Sequence, residues 1–272
     1  MTVQNAGESS ISSGYFEIEG PPDELSIVFV HGAGISKEMW RPQLDSLSGA
    51  FQVVAFDLPG HGTRADTSFE FEVAVTTLDG VINEVGTPVV LVGHSLGGYV
   101  AMEYAARHPG RIIGLVCSGS SADYRGLLGI RTRVTAALYR IGSRLSFIEQ
   151  WFLNRTAAQI RDLPISDATA ESIIDGGFYL RSWGEAGTAL VGRNFQERLR
   201  RFEGPVLLLN GATDSLNVPN ADRLATELPT VKTVVIDDVG HLCNLQAPGP
   251  YTAEVRRFLE ELKTESGQKE RS

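Results

Sequence analysis

A mostly parallel, doubly wound α/β sheet with a helical insertion is the fold class that the 272-residue sequence predicts, and three observations predict it. Short runs rich in Val, Ile and Leu recur without alternation, as in strands covered on both faces. Stretches of helical period lie between them, and strand alternating with helix argues for parallel pairing. The alternation then stops: from Ser121 to Arg201 no strand-like run occurs.

The elements follow in order. YFEIEG from Tyr15 alternates like an edge strand, and Pro21-Pro22 turns the chain into the next one. Buried strands are expected at SIVFV (26–30), QVVAF (52–56), PVVLV (88–92), RIIGLVC (111–117), PVLLL (205–209) and VKTVVI (231–236). Helices are expected over 72–84, 96–108, 220–228 and 251–262, with a polar tail from Thr264 that should fray. Inside the break, helical patterns cover 127–141, 145–160 and 168–180. Such an insertion is most simply a cap over the carboxyl edge of the sheet, where open α/β sheets bind ligands. The expected division is a core of 1–120 and 202–272 and a cap of 121–201, with the substrate pocket beneath the cap.

With 42% hydrophobic residues the chain can bury a full core. A net charge of −9 offers no general attraction to phosphate backbones or anionic membranes, so neither a nucleic-acid partner nor membrane insertion is expected. Residues 1–14 have no basic start and no apolar h-region, and no run of about 18 apolar residues occurs. A cytoplasmic protein is the expectation. Cys117 and Cys243 are too few for a disulfide framework or a thiolate metal site and read as packing residues. The charge is uneven: 121–201 holds twelve arginines, no lysine and eight acidic residues, a net +4 against −13 for the rest. A cationic lid could receive an anionic or carrier-bound acyl substrate, although such arginines are more often solvated helix faces.

The chemistry centres on LVGHSLGG at 91–98. A G-x-S-x-G match is weak alone in a chain with 29 glycines, but a nucleophile elbow is defined by a strand, a strained turn and a helix. PVVLV precedes Ser95 and a helical pattern follows it. Gly93 and Gly97 lie where side chains would collide, and a helix N-terminus beyond the serine favours negative charge.

With HGAG at 31–34, DLPGHG at 57–62, GHSLGG at 93–98, GATD at 211–214 and Gly240-His241 in this order, the chain resembles the α/β-hydrolase superfamily, specifically its small capped serine esterases. The resemblance covers about residues 15–262. It implies a Ser-His-Asp triad of Ser95, His241 and Asp214, because a serine hydroxyl needs a base and the base an orienting acid. Asp214 ends a buried strand, and Asp123 is its rival because some relatives carry the acid there. Asp57, Asp237 and Asp238 are less suited by position, and His31, His61, His94 and His108 read as structural. The resemblance places the oxyanion donors at the backbone N–H groups of Ala33 and Leu96. It implies no cofactor and no metal, and a small ester substrate, or a thioester or lactone; the aromatics and aliphatics of 121–201 suit an apolar acyl or alkyl part, although most must also pack the cap.

Relatives that cleave carbon–carbon bonds usually carry a longer glycine-rich loop and a tryptophan after the catalytic histidine; here stand HGAGIS and Leu242. Hydroxynitrile lyases of this fold use a lysine near the site, and none occurs between Lys37 and Lys232. The fold also serves as a small-molecule receptor or scaffold, which sequence alone leaves open. Gln246 and Arg64 depart from the commoner residues at their positions, and Cys243 is placed to shape the pocket or only to pack.

Overall fold

The structure, a computed structural model, describes residues 11–12, 14–228 and 230–269. Residues 1–10 and 270–272, assigned above to the core unit, lie outside the described residues. Eight strands form one sheet: β1 (Ile11–Ser12), β2 (Phe16–Glu19), β3 (Ser26–Val30), β4 (Gln52–Phe56), β5 (Val89–His94), β6 (Ile112–Ser118), β7 (Val206–Gly211) and β8 (Val231–Ile236). Their order is β1-β2-β4-β3-β5-β6-β7-β8, antiparallel from β1 to β4 and parallel from there on.

The uniform apolar runs are explained by burial on both faces. Val28, Val54, Leu91, Leu115 and Leu208 point into one buried cluster with Leu78 and Val81 of α2 (Phe71–Val85) and Tyr99 and Val100 of α3 (Leu96–Arg107). Their chain neighbours Ile27, Val53, Val90, Val116 and Leu207 point into a second cluster on the opposite face. That face is covered by α1 (Arg41–Leu47) and α11 (Pro248–Lys269), whose Tyr251, Val255 and Leu259 recur every four residues. Each such side chain contributes about 1.5–3 kcal/mol when removed from water, so the two clusters together hold the layers.

Between β6 and β7 the chain forms α4 (Gly126–Gly142), α5 (Ser146–Arg161), α6 (Asp167–Asp175), α7 (Leu180–Leu190) and α8 (Phe195–Leu199); α9 (Val218–Glu227) and α10 (Cys243–Gln246) follow in the core. The single helix expected over 168–180 is two. Gly176-Gly177 interrupts it, and Gly177 sits at φ +83°, a conformation that ends a helix. β2 is not the outermost strand, because β1 pairs outside it. β8 is not covered on both faces: it is the sheet's edge, and Val235 is exposed. The tail expected to fray from Thr264 continues α11 as helix to Lys269.

Candidate active site

The chain moves outward from β3 to β4 and then crosses back to place β5 on β3's other side. The sheet therefore has a topological switch between β3 and β5, where loops diverge and leave a crevice. Two loops meet there, His31–Gly34 after β3 and the turn at Ser95 after β5. A Cβ on Gly32 would stand 3.6 Å from the Ser95 Cβ, so the loops touch.

Ser95 has φ +51° and ψ −117°, an unfavourable backbone for a residue with a side chain. The surroundings impose it. Its N–H donates to the Ser118 carbonyl at 2.8 Å, and its own carbonyl accepts from Gly98 at 3.0 Å and from the Ser120 hydroxyl at 3.1 Å. A Cβ on Gly97 would lie 2.0 Å from the Val30 carbonyl oxygen, and one on Gly93 would lie 2.6 Å from Gly97 backbone atoms. Any larger residue at either place would push α3 off the sheet.

Asp214 follows β7 and His241 follows β8. The His241 Nδ1 lies 2.8 Å from Asp214 Oδ2. The carboxylate side chain is 6% exposed and the imidazole 47%. Burial pushes the Asp214 carboxyl up, but the hydrogen bond and charge of His241 and two donors from Asn217 outweigh it and hold the group down at about 2. The His241 ring packs 4.9 Å, centre to centre, from His94, the residue before Ser95. No hydrogen bond links Ser95 Oγ to His241 among the described residues, a looseness common in unliganded sites.

Asn217 has no signal in the sequence beyond its place three residues after Asp214. Its Nδ2 donates to both Asp214 oxygens at 3.1 and 2.9 Å, and its N–H donates to Oδ1 at 3.1 Å. Its Oδ1 accepts from the N–H groups of Ser121 and Ala122 at 2.8 and 3.1 Å. One buried amide thus ties the carboxylate to the start of the helical insertion. Gln246 Oε1 accepts from the Gly240 N–H at 2.8 Å and fixes the loop before His241. Asp123 is directed elsewhere: its two oxygens bind Arg125 at 2.7 and 2.6 Å.

Ala33, Ser95 and Leu96 line one cavity of about 560 Å³, with α4 and α7 forming its other wall. The backbone N–H groups of Ala33 and Leu96 have no hydrogen-bond partner among the described residues. The loop bearing Ala33 is held by two histidines. His31 Nε2 accepts from the Leu58 N–H, and His61 Nε2 accepts from the Gly34 N–H, each at 2.9 Å. Cys243 is buried in the second core cluster, and burial pushes its thiol up to about 12; it does not line the cavity.

Burial lowers His31 to about 4 and His61 to about 3 from an ordinary 6.5. Both are therefore neutral in the fold at pH values where the unfolded chain would bind their protons. Stability should be complete above about pH 6.5 and fall as the pH drops toward 4, by on the order of 3 kcal/mol or more. Thermal melts between pH 7.5 and 4 check this: a midpoint that does not move over this range would show that neither ring is held neutral.

Comparisons with known proteins place these features in context. The profile of the alpha/beta hydrolase family matches residues 27–255. The putative carbamate hydrolase RutD of Escherichia coli O157:H7 is 30% identical over 251 residues, 86% of this chain and 91% of that protein. The pimeloyl-[acyl-carrier protein] methyl ester esterase of Neisseria meningitidis serogroup C is 28% identical over 260 residues, 90% of this chain and 97% of that one. Among solved structures, a thermophilic esterase from Thermogutta terrifontis superposes with a TM-score of 0.71 at 25% identity, covering 94% of this chain and 99% of its own.

Proposed function

The chain belongs to the alpha/beta hydrolase family, and from that premise we propose that it cleaves a small carboxylic ester through Ser95, His241 and Asp214. The observation that carries this reading is the 2.8 Å contact of Asp214 with His241 beside the strained turn at Ser95. Asp214 holds the imidazole with its proton on Nδ1, leaving Nε2 free to take the Ser95 proton. The serine oxygen bonds to the substrate carbonyl carbon, and the Ala33 and Leu96 N–H groups stabilise the resulting oxyanion by about 3 kcal/mol each. His241 then passes its proton to the leaving alcohol, and water, activated by the same base, releases the acid.

The helices between 121 and 201 act as the cap in this reading, and Leu128, Tyr139, Ala186 and Leu190 on the cavity wall suit an apolar acyl or alkyl part. A thioester or lactone would use the same chemistry. A carrier-bound or anionic substrate is a second reading, favoured by Arg131 on the cavity wall and by the activity in the name of the Neisseria relative. No helix among the described residues is long and apolar enough to cross a membrane, and two buried free cysteines suit a reducing cytoplasm. The test is turnover of a panel of p-nitrophenyl esters and acyl thioesters of graded length. We expect hydrolysis of at least the short esters, lost in His241→Ala while circular dichroism is unchanged. Full turnover in that variant would refute the base assignment, and no turnover of any ester would favour a binding protein.

A further inference from the structure

The outward face of α4 is apolar where a surface helix is ordinarily polar. Leu127, Ile130, Val134, Leu138 and Ile141 recur at helical spacing and are 58 to 72% exposed. The opposite tendency holds on the neighbouring face of the same helix, where Leu128, Thr132, Thr135 and Tyr139 line the cavity. Along the chain the exposed apolar surface continues to Phe147 and Trp151, one turn apart on α5 and 72% and 62% exposed. Large apolar side chains in such a contiguous array mark a surface that meets something.

The charges at this ridge indicate what it meets. Among the arginines of the insertion, Arg125, Arg161, Arg181, Arg193, Arg198 and Arg200 are each paired with a carboxylate. Arg131, Arg133, Arg140, Arg144 and Arg155 have no carboxylate partner among the described residues, and all five are exposed. They lie on α4, on α5 and in the link between them; Arg131 lines the cavity and the Arg140 side chain stands against Gly184 of α7, whereas Arg133, Arg144 and Arg155 face neither. Glu149 is the one acidic residue from 126 to 161. Of the six arginines of the insertion without a carboxylate partner among the described residues, all but Arg201 at its end lie on α4, on α5 or in their link, while the remainder of the chain carries −13.

We propose that the α4–α5 ridge docks on an anionic lipid surface, with the apolar side chains entering the head-group boundary and Arg133, Arg144 and Arg155 meeting lipid phosphates. Leu, Ile, Phe and Trp beside arginines is the composition of an interfacial helix. The charge separation turns this face toward an anionic membrane although the whole protein is acidic. A second copy suits the ridge poorly, because a two-fold contact would set these uncompensated arginines against their own copies. Trp183 and Leu216, each 40% exposed, stand on the cavity rim, so docking would bring the mouth close to the bilayer and to esters dissolved in it.

Flotation with vesicles tests the proposal independently of hydrolysis. The full chain is expected to float with phosphatidylcholine vesicles containing phosphatidylglycerol, to stay behind with phosphatidylcholine alone, and to be released by high salt. Phe147→Ser with Trp151→Ser, and separately Arg144→Glu with Arg155→Glu, should each weaken vesicle binding by about tenfold or more. Both pairs are exposed, so circular dichroism and turnover of a short soluble ester should not change. No binding to the anionic vesicles would overturn the proposal, as would binding that neither pair weakens. A ridge-dependent dimer by sedimentation, or ridge-dependent capture of an acidic carrier protein, with no vesicle binding would assign the surface to another partner and also overturn it.

Discussion

Ser95→Ala is expected to lower ester turnover by about 10⁴-fold or more while leaving the protein folded. The size of the effect follows from the role assigned to the hydroxyl. Without it no acyl-enzyme forms, and what remains is whatever the oxyanion donors and substrate binding achieve with water. The fold should tolerate the change because the strain at this position lies in the backbone, held by Ser118, Gly98 and Ser120. Alanine meets the same φ of +51° with the same Cβ. Turnover of a soluble ester together with a thermal melt separates the two effects. Loss of activity with a collapsed melting midpoint would mean that the serine is structural, and retained activity would mean that another group attacks.

Asp214→Asn is expected to cost about 10⁴-fold in turnover, close to the effect of removing the base itself. The amide is the same size, but one of its two ends is a donor. Asn217 Nδ2 already donates to both positions now held by Asp214 oxygens, so the new amide must turn its oxygen to Asn217 and its NH₂ to His241. That would force the imidazole to accept at Nδ1 and carry its proton on Nε2, the nitrogen that should accept from Ser95. A stability change should accompany the kinetic one. The carboxyl is held at about 2, below its ordinary 3.8, so it stabilises the fold above about pH 4 and loses that contribution as the pH falls through 2. The difference is on the order of 2 kcal/mol, and Asp214→Asn should lack it in acid melts. An unaltered rate would show that another carboxylate orients His241.

Much of this was legible in the sequence for definite physical reasons. The runs at 26–30, 52–56 and 89–92 belong to strands buried on both faces, so all their residues are apolar except Ser26 and Gln52, which hydrogen-bond to each other, and composition alone reveals that. The exposure of β8 departs from its apolar pattern because it depends on standing last in the sheet, which a local pattern does not encode. The break between α6 and α7 is hidden from a periodicity argument because helical spacing continues through 168–180, while Gly177 reverses the sign of φ. At the site, GHSLGG marks the turn through the steric demands on its glycines, which are local. The meeting of Asp214 with His241 is a tertiary contact between loops after neighbouring strands, and only the order of motifs pointed toward it. Asn217 left no trace, since one polar residue in a loop has no periodicity to betray it. The arginines of the insertion could be counted but not sorted into paired and unpaired, because pairing needs the positions of the carboxylates.

Hydrolysis by this chain depends on Ser95 being a nucleophile activated by its surroundings. Labelling with a fluorophosphonate, followed by digestion and mass mapping, measures this directly. One adduct is expected, on the peptide containing Ser95, absent in Ser95→Ala and slowed by orders of magnitude in His241→Ala. An unlabelled wild-type protein, or an adduct on another residue, would contradict it.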